Sequence, residues 1–246
     1  MIVILRKSNI LLVVLILLLS IAIYSLNFTS GNALSTAKAQ EAQHVIMLDP
    51  GHGGEDPGAV SDYSGIKEST INLYIAKKVK EDLEKAGYKI LMTRAEDRLE
   101  YTPGTRSVTE MRRQDLTRRK KMMDEDGAEV VVSIHLNKFL QTQYFGAQTF
   151  YPESSPESQK LAGFIQDSLK QLVDPTNKRV AMVKGKPGDP PIIILRNLKT
   201  PTAVVECGFL SNQEEEKKLG TVEYQDKLAV GISDGVKKFF EAKAAK

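Results

Sequence analysis

Cys207 is the only cysteine in 246 residues, which excludes an intrachain disulfide and a cysteine zinc cluster. Net charge is scarce where the chain folds. Lys and Arg total 34 and Asp and Glu 31, but residues 1–39 hold Arg6, Lys7 and Lys38 and no acid. Removing those three leaves 31 basic residues against 31 acidic ones, and a neutral folded part argues against a nucleic-acid-binding protein. There is no internal repeat, no second composition class and no HExxH spacing. A histidine metal site would therefore have to be assembled from distant segments.

Apolar content of 41% and charged content of 26% are those of an ordinary globular protein with a sizeable core. The long apolar run, residues 10–26, follows Arg6-Lys7 and is interrupted only by Ser20 and Ser25. A basic stretch before such a run is an export signal, and about 17 residues is the short edge of what spans a bilayer. Ala37-Lys38-Ala39 offers a small-x-small cleavage site. Residues 1–39 are therefore expected to be a signal peptide, or else a retained membrane anchor, with residues 27–43 as linker. Either way, the positive-inside rule puts the remainder, residues 40–246, outside the membrane as one domain.

That remainder opens on Val45-Ile46-Met47-Leu48, a short apolar run of strand length, which breaks into Asp49-Pro50-Gly51-His52-Gly53-Gly54. Glycines here allow a tight turn and close approach to a ligand, with a histidine at the mouth of a strand. Glu68-Ser69 start a helix whose apolar positions Ile71, Ile75, Val79 and Leu83 recur every four residues until Gly87. Residues 88–93 read as a strand, 95–114 as a polar loop, and 115–126 as a basic helix. Arg118-Arg119-Lys120-Lys121 is expected on its solvated face. Val130-Val131-Val132-Ser133-Ile134 is the best strand pattern, with His135-Leu136-Asn137 coming off its end. Residues 147–151 form another strand. Ser155-Pro156-Glu157 opens a helix with Leu161, Phe164, Ile165, Leu169 and Leu172 inward. A Gly- and Pro-rich segment, residues 184–191, precedes an apolar stretch at 192–195. Residues 202–205 form a last strand running into Glu206-Cys207-Gly208-Phe209, and residues 224–240 a closing amphipathic helix. Strands alternating with helices predict an α/β domain with a largely parallel sheet.

His52, His135 and Glu206 all follow apolar strands, and in an open parallel sheet the strand C-termini line one crevice. Glu68 can face that crevice from its helix start. Two histidines and a carboxylate make a common catalytic zinc set that leaves one position for water, and a further carboxylate suits a general base. Spacings of 16, 67 and 71 residues do not by themselves decide it. Asp49, Glu55 and Asp56 compete with Glu68 as the third ligand. Each residue also has a plainer role open to it: a strand-end hydrogen bond for His135, a dipole-favoured helix start for Glu68, a charge at a strand mouth for Glu206. Asn137 is a candidate substrate contact, or caps its own turn. Cys207 reads as a small buried residue, with no histidine placed to activate it.

LDPGHGG, the following Glu68, SIHLN and VECGFLSN occur in the order found in the zinc-dependent N-acetylmuramoyl-L-alanine amidases (amidase type 3), which cleave bacterial peptidoglycan. The resemblance covers residues 44–240. It implies a mixed six-stranded sheet flanked by helices, one Zn2+ per chain on His52, Glu68 and His135, and Glu206 as catalytic carboxylate. The TRAEDR block, the cysteine after Glu206 and the PPIIILRN segment look most like the spore-cortex, germination-specific branch. That branch removes stem peptides ahead of muramic-lactam formation. One departure is Arg119-Lys120-Lys121-Met122-Met123-Asp124, where the family often has Arg followed by Ala-Asn; it is expected to lie far from the ligands. No wall-binding repeats are present, so targeting would come from the N-terminus, the catalytic domain or a protein partner. Two rival functions are a zinc carboxypeptidase acting on wall peptides and a catalytically silent peptidoglycan-binding module.

Overall fold

A computed structural model describes residues 14–21, 43–153, 155–185 and 193–245. Residues 14–21 are an exposed helix (α1); the rest of the apolar run and Ala37-Lys38-Ala39 lie outside the described residues. Among the described residues no helix is long and apolar enough to cross a membrane. The chain divides into two units, residues 1–43 and 44–246.

The second unit carries β1 (Val45–Pro50), α2 (Glu68–Lys85), β2 (Lys89–Met92), α3 (Val108–Glu125), β3 (Val130–Asn137), β4 (Gln148–Tyr151), α4 (Pro156–Leu172), β5 (Met182–Val183), a 3-10 turn at Ile193–Leu195, β6 (Thr202–Phe209), α5 (Gln213–Leu219) and α6 (Val222–Ala244). The six strands make one sheet in the order β2-β1-β3-β6-β4-β5. Every pairing is parallel except β4 with β6. The largely parallel sheet expected from the alternation forms, and it is mixed and six-stranded as the resemblance implied.

Strand alternation divides the core into two layers. Ile46 and Leu48, Val130, Val132 and Ile134, and Ala203 and Val205 pack with α2, α4 and α6. Met47, Val131 and Val204 point the other way, into a smaller cluster with Met123 of α3 and Ile194-Leu195. Ile46, Met47 and Leu48 are fully buried, each worth about 1.5–3 kcal/mol. On the second face the same alternation carries Ser133 and His135 after Val131, and Glu206 after Val204. The polar groups of the site are thus the upper positions of an inward-facing stripe.

Several boundaries differ from expectation. Helix α3 begins at Val108, seven residues before the expected start, because its first turns are charged and carry no apolar period. His135 and Glu206 lie within β3 and β6 rather than beyond them. Leu172 is exposed on α4, though Leu161, Ile165 and Leu169 are buried as expected and Ser155 caps the helix with Pro156 in its first turn. Helix α5, capped by Asn212 accepting from the Glu215 amide, has no counterpart in the sequence reading.

Candidate active site

From β1 the chain passes to β2 on one side and later to β3 on the other, so the crevice above β1 and β3 is a topological switch point. His52 lies just past β1 with φ 62°, a left-handed conformation that costs a non-glycine residue roughly 1–3 kcal/mol. Two buried arginines hold it there. Arg119 donates from Nη2 to the His52 carbonyl at 2.7 Å and from Nη1 to the Pro50 carbonyl at 2.7 Å. Arg94 donates to the carbonyls of Pro50, Gly51 and Ser69 at 2.9, 3.0 and 2.8 Å. Arg119 also bonds Asp115 at 2.6 Å and Asp49 at 3.1 Å, and it is 1% exposed. This corrects two expectations: Arg119 is not on the solvated face of α3, and its segment is not far from the histidine loop.

Two glycines make room for convergence. A Cβ on Gly51 would sit 2.1 Å from Cε1 of His135, and one on Gly58 would sit 2.5 Å from Oε2 of Glu68 and 2.7 Å from Cδ2 of His52. With that space open, the ligand atoms of His52, Glu68 and His135 lie within 4.8 Å of one another. The imidazole rings meet edge-on, centroids 5.1 Å apart. Nδ1 of His135 is 3.0 Å, and Nε2 of His52 3.4 Å, from the same oxygen, Oε1 of Glu68. Glu68 is the first residue of α2, where the helix dipole favours an acid. It also accepts from the Leu136 amide at 3.0 Å, Asn72 at 3.2 Å and the Ala59 amide at 2.8 Å.

Electrostatics follow from that packing. Burial alone would raise the Glu68 pKa, but hydrogen bonds and positive charge from His135 and His52 outweigh it and hold the carboxyl far below its usual range. Burial alone would lower His52, yet its bonds to Asp56 and Glu68 push it up to about 9. The three other candidate carboxylates are engaged elsewhere. Asp56 accepts from Nδ1 of His52 at 2.8 Å, Asp49 accepts from Thr93, Ser133 and Arg119, and Glu55 accepts from Tyr101 at 2.7 Å. His44 is remote from this group, bonded to Glu129 and stacked on Phe240. Two imidazoles and a carboxylate converging on one point, with one imidazole oriented through its far nitrogen by Asp56, suit a divalent metal of the zinc class.

Glu206 faces His135 across the β3–β6 ladder. It is 7% exposed; its Oε1 accepts from Nζ of Lys184 at 2.6 Å, and its buried Oε2 has no partner among the described residues. A group that could hold a metal, beside a buried carboxylate, is the equipment of a hydrolase.

The Amidase_3 family, N-acetylmuramoyl-L-alanine amidase, matches residues 46–238. The chain belongs to that family. It is 36% identical to the germination-specific N-acetylmuramoyl-L-alanine amidase of Bacillus subtilis over 81% of each chain. In structure it is similar to the CwlD amidase from Clostridioides difficile in complex with the GerS lipoprotein, with TM-score 0.77, 37% identity, and coverage of 81% of this chain and all of that one. A second solved structure, the N-acetylmuramoyl-L-alanine amidase from Clostridium difficile 630, has TM-score 0.69, 30% identity, and coverage of 82% and 98%. The chain is thus an amidase of the germination-specific, CwlD-type branch.

Within the amidase, Asn137 ends β3 at a register shift, and its Oδ1 accepts from the adjacent Lys138 amide at 2.9 Å. Cys207 is fully buried, and burial among nearby carboxylates pushes its thiol far above the usual range, so it is inert as a nucleophile. Sequence reasoning missed Arg94 as a loop clamp, Arg119 and Lys184. For Arg119 a signal existed: Met111, Asp115, Arg119 and Met123 recur every four residues, placing an acid–base pair between two apolar side chains on one helix face. Lys184 carried no such signal, being separated from Glu206 by 22 residues and a glycine-rich segment.

Proposed function

We propose that the amidase hydrolyses the bond between N-acetylmuramic acid and L-alanine in spore-cortex peptidoglycan, with one zinc ion held by His52, Glu68 and His135 and with Glu206 as general base and acid. The observation that carries this is the convergence of the three ligand side chains, within 4.8 Å, next to the register-paired Glu206. When bound, zinc supplies a Lewis acid for the scissile carbonyl and makes water more acidic. Asp56 holds Nδ1 of His52 and so keeps Nε2 turned to Glu68. Arg94 and Arg119 keep the loop carrying His52 in place by their bonds to its carbonyls. Glu206 takes a proton from the attacking water and returns it to the leaving nitrogen of L-alanine, so that the C–N bond breaks to a neutral amine. Asn137, beside the site at the end of β3, is a candidate contact for the glycan or stem peptide.

Residues 1–39 serve as signal peptide or anchor, and residues 40–246 work outside the cytoplasmic membrane, in the cortex space. The membrane is touched only through the N-terminal segment, and no nucleic acid is involved. A protein partner assists targeting or activation; the similar Clostridioides difficile amidase was solved with a lipoprotein. Product analysis on purified cortex peptidoglycan tests the reading. An amidase frees whole stem peptides with an L-alanine amino terminus, whereas a carboxypeptidase trims only the far end and a binding module releases nothing.

A further inference from the structure

The two oxygens of the Glu206 carboxylate are in different situations. Oε1 receives a charge-assisted hydrogen bond from Nζ of Lys184 at 2.6 Å, while Oε2 is buried with no partner among the described residues. Lys184 is itself fixed. Its backbone amide donates to the Tyr151 carbonyl at 2.9 Å, extending the β4–β5 ladder by one residue, and its ammonium lies 4.5 Å over the Phe150 ring. Phe150 and Glu206 stand on strands β4 and β6, which pair directly, so ammonium, ring and carboxylate form one unit on the sheet. A carboxylate held by one oxygen loses its freedom to rotate, and its other oxygen keeps a constant direction.

We propose that Lys184 is a positioning residue that fixes Oε1 of Glu206 and leaves Oε2 as the oxygen that takes the proton from water and passes it to the leaving amine. The proton moves from water to Oε2 and from Oε2 to the alanine nitrogen, and Lys184 keeps its own protons throughout. This rests on the amidase reading above.

The test uses full-length protein and soluble muropeptides, following release of stem peptide. Lys184→Met is expected to lower kcat by roughly 10- to 100-fold, the cost of a misplaced catalytic group. KM and bound zinc should be unchanged, and Lys184→Arg should recover most of the rate. In a Glu206→Gln background, Lys184→Met is expected to cause no further loss, because Lys184 acts only through that carboxylate. Wild-type kcat in Lys184→Met would overturn the assignment, as would loss of zinc. An equal loss in the Glu206→Gln background would overturn it too, moving Lys184 to direct contact with substrate. Failure of the amidase reading itself shows separately, as a wild-type protein that frees no L-alanine-terminated peptide.

Discussion

His135 and Glu206 are register partners on adjacent parallel strands, β3 and β6. The pairing puts a candidate metal ligand and a candidate proton carrier side by side on the same face of the sheet, with no loop between them to flex. Their separation is therefore set by the spacing of strands rather than by loop conformation.

Glu206→Gln tests the chemical half of that arrangement. The variant keeps size and burial but cannot accept a proton, so turnover is expected to fall by about 10²-fold or more with zinc content intact. Wild-type turnover would remove Glu206 from the mechanism, and loss of zinc would move it among the ligands.

Arg119→Met tests the support beneath the histidine loop. The substitution leaves Asp49 buried without its cation and Asp115 with Arg118 alone, which is expected to cost about 3–5 kcal/mol in urea unfolding. Arg119→Lys should recover little, since one ammonium cannot reproduce the fork that spans Asp115, Asp49 and two carbonyls. A loss under about 1 kcal/mol would mean the clamp is dispensable.

How far this was legible in the sequence varies by residue. The apolar runs at 45–48, 130–134 and 202–205 announced the strands, but the inward-facing places of His135 and Glu206 within β3 and β6 did not show, because a sheet covered on both faces leaves no alternation to read. The glycine loop around His52 announced a close approach, and Gly51 meets the His135 ring. What patterning could not show was an inward-facing Arg119 inside a run of four basic residues, because local charge predicts solvent exposure and only tertiary partners reverse it. Lys184 was illegible for a related reason: the contact depends on β5 pairing with β4, and two-residue β5 has no period to read.

Asp49 predicts a pH dependence of stability. Burial alone would raise its pKa, but Arg119, Thr93 and Ser133 lower it below the ordinary aspartate value of 3.8. The native state therefore binds fewer protons than the unfolded state in that range, and stability falls as pH falls. The contribution of Asp49 is fully present above about pH 5 and disappears as pH drops through the folded value. Unfolding free energies of wild type and Asp49→Asn should thus differ by a constant amount near neutrality and converge in acid. A gap that widens on acidification would contradict the lowered pKa.

A chain beginning at Gln40 is expected to be soluble, folded and zinc-loaded. Residues 1–39 contain no histidine or acid, and the unit from His44 onward holds all four site residues. Aggregation or loss of zinc would make the N-terminal segment part of the fold. The mass of the exported protein answers the separate question of cleavage: a start near Gln40 means a signal peptide, and an intact chain in the membrane fraction means an anchor.

Zinc stoichiometry of purified wild type and His135→Ala, by elemental analysis, tests the central claim most directly. One zinc per wild-type chain and essentially none in the variant is the expected result, because removing one of three protein ligands leaves His52 and Glu68 too few to retain the ion. Undiminished zinc in His135→Ala, or a wild-type protein that never takes up zinc, would contradict the site.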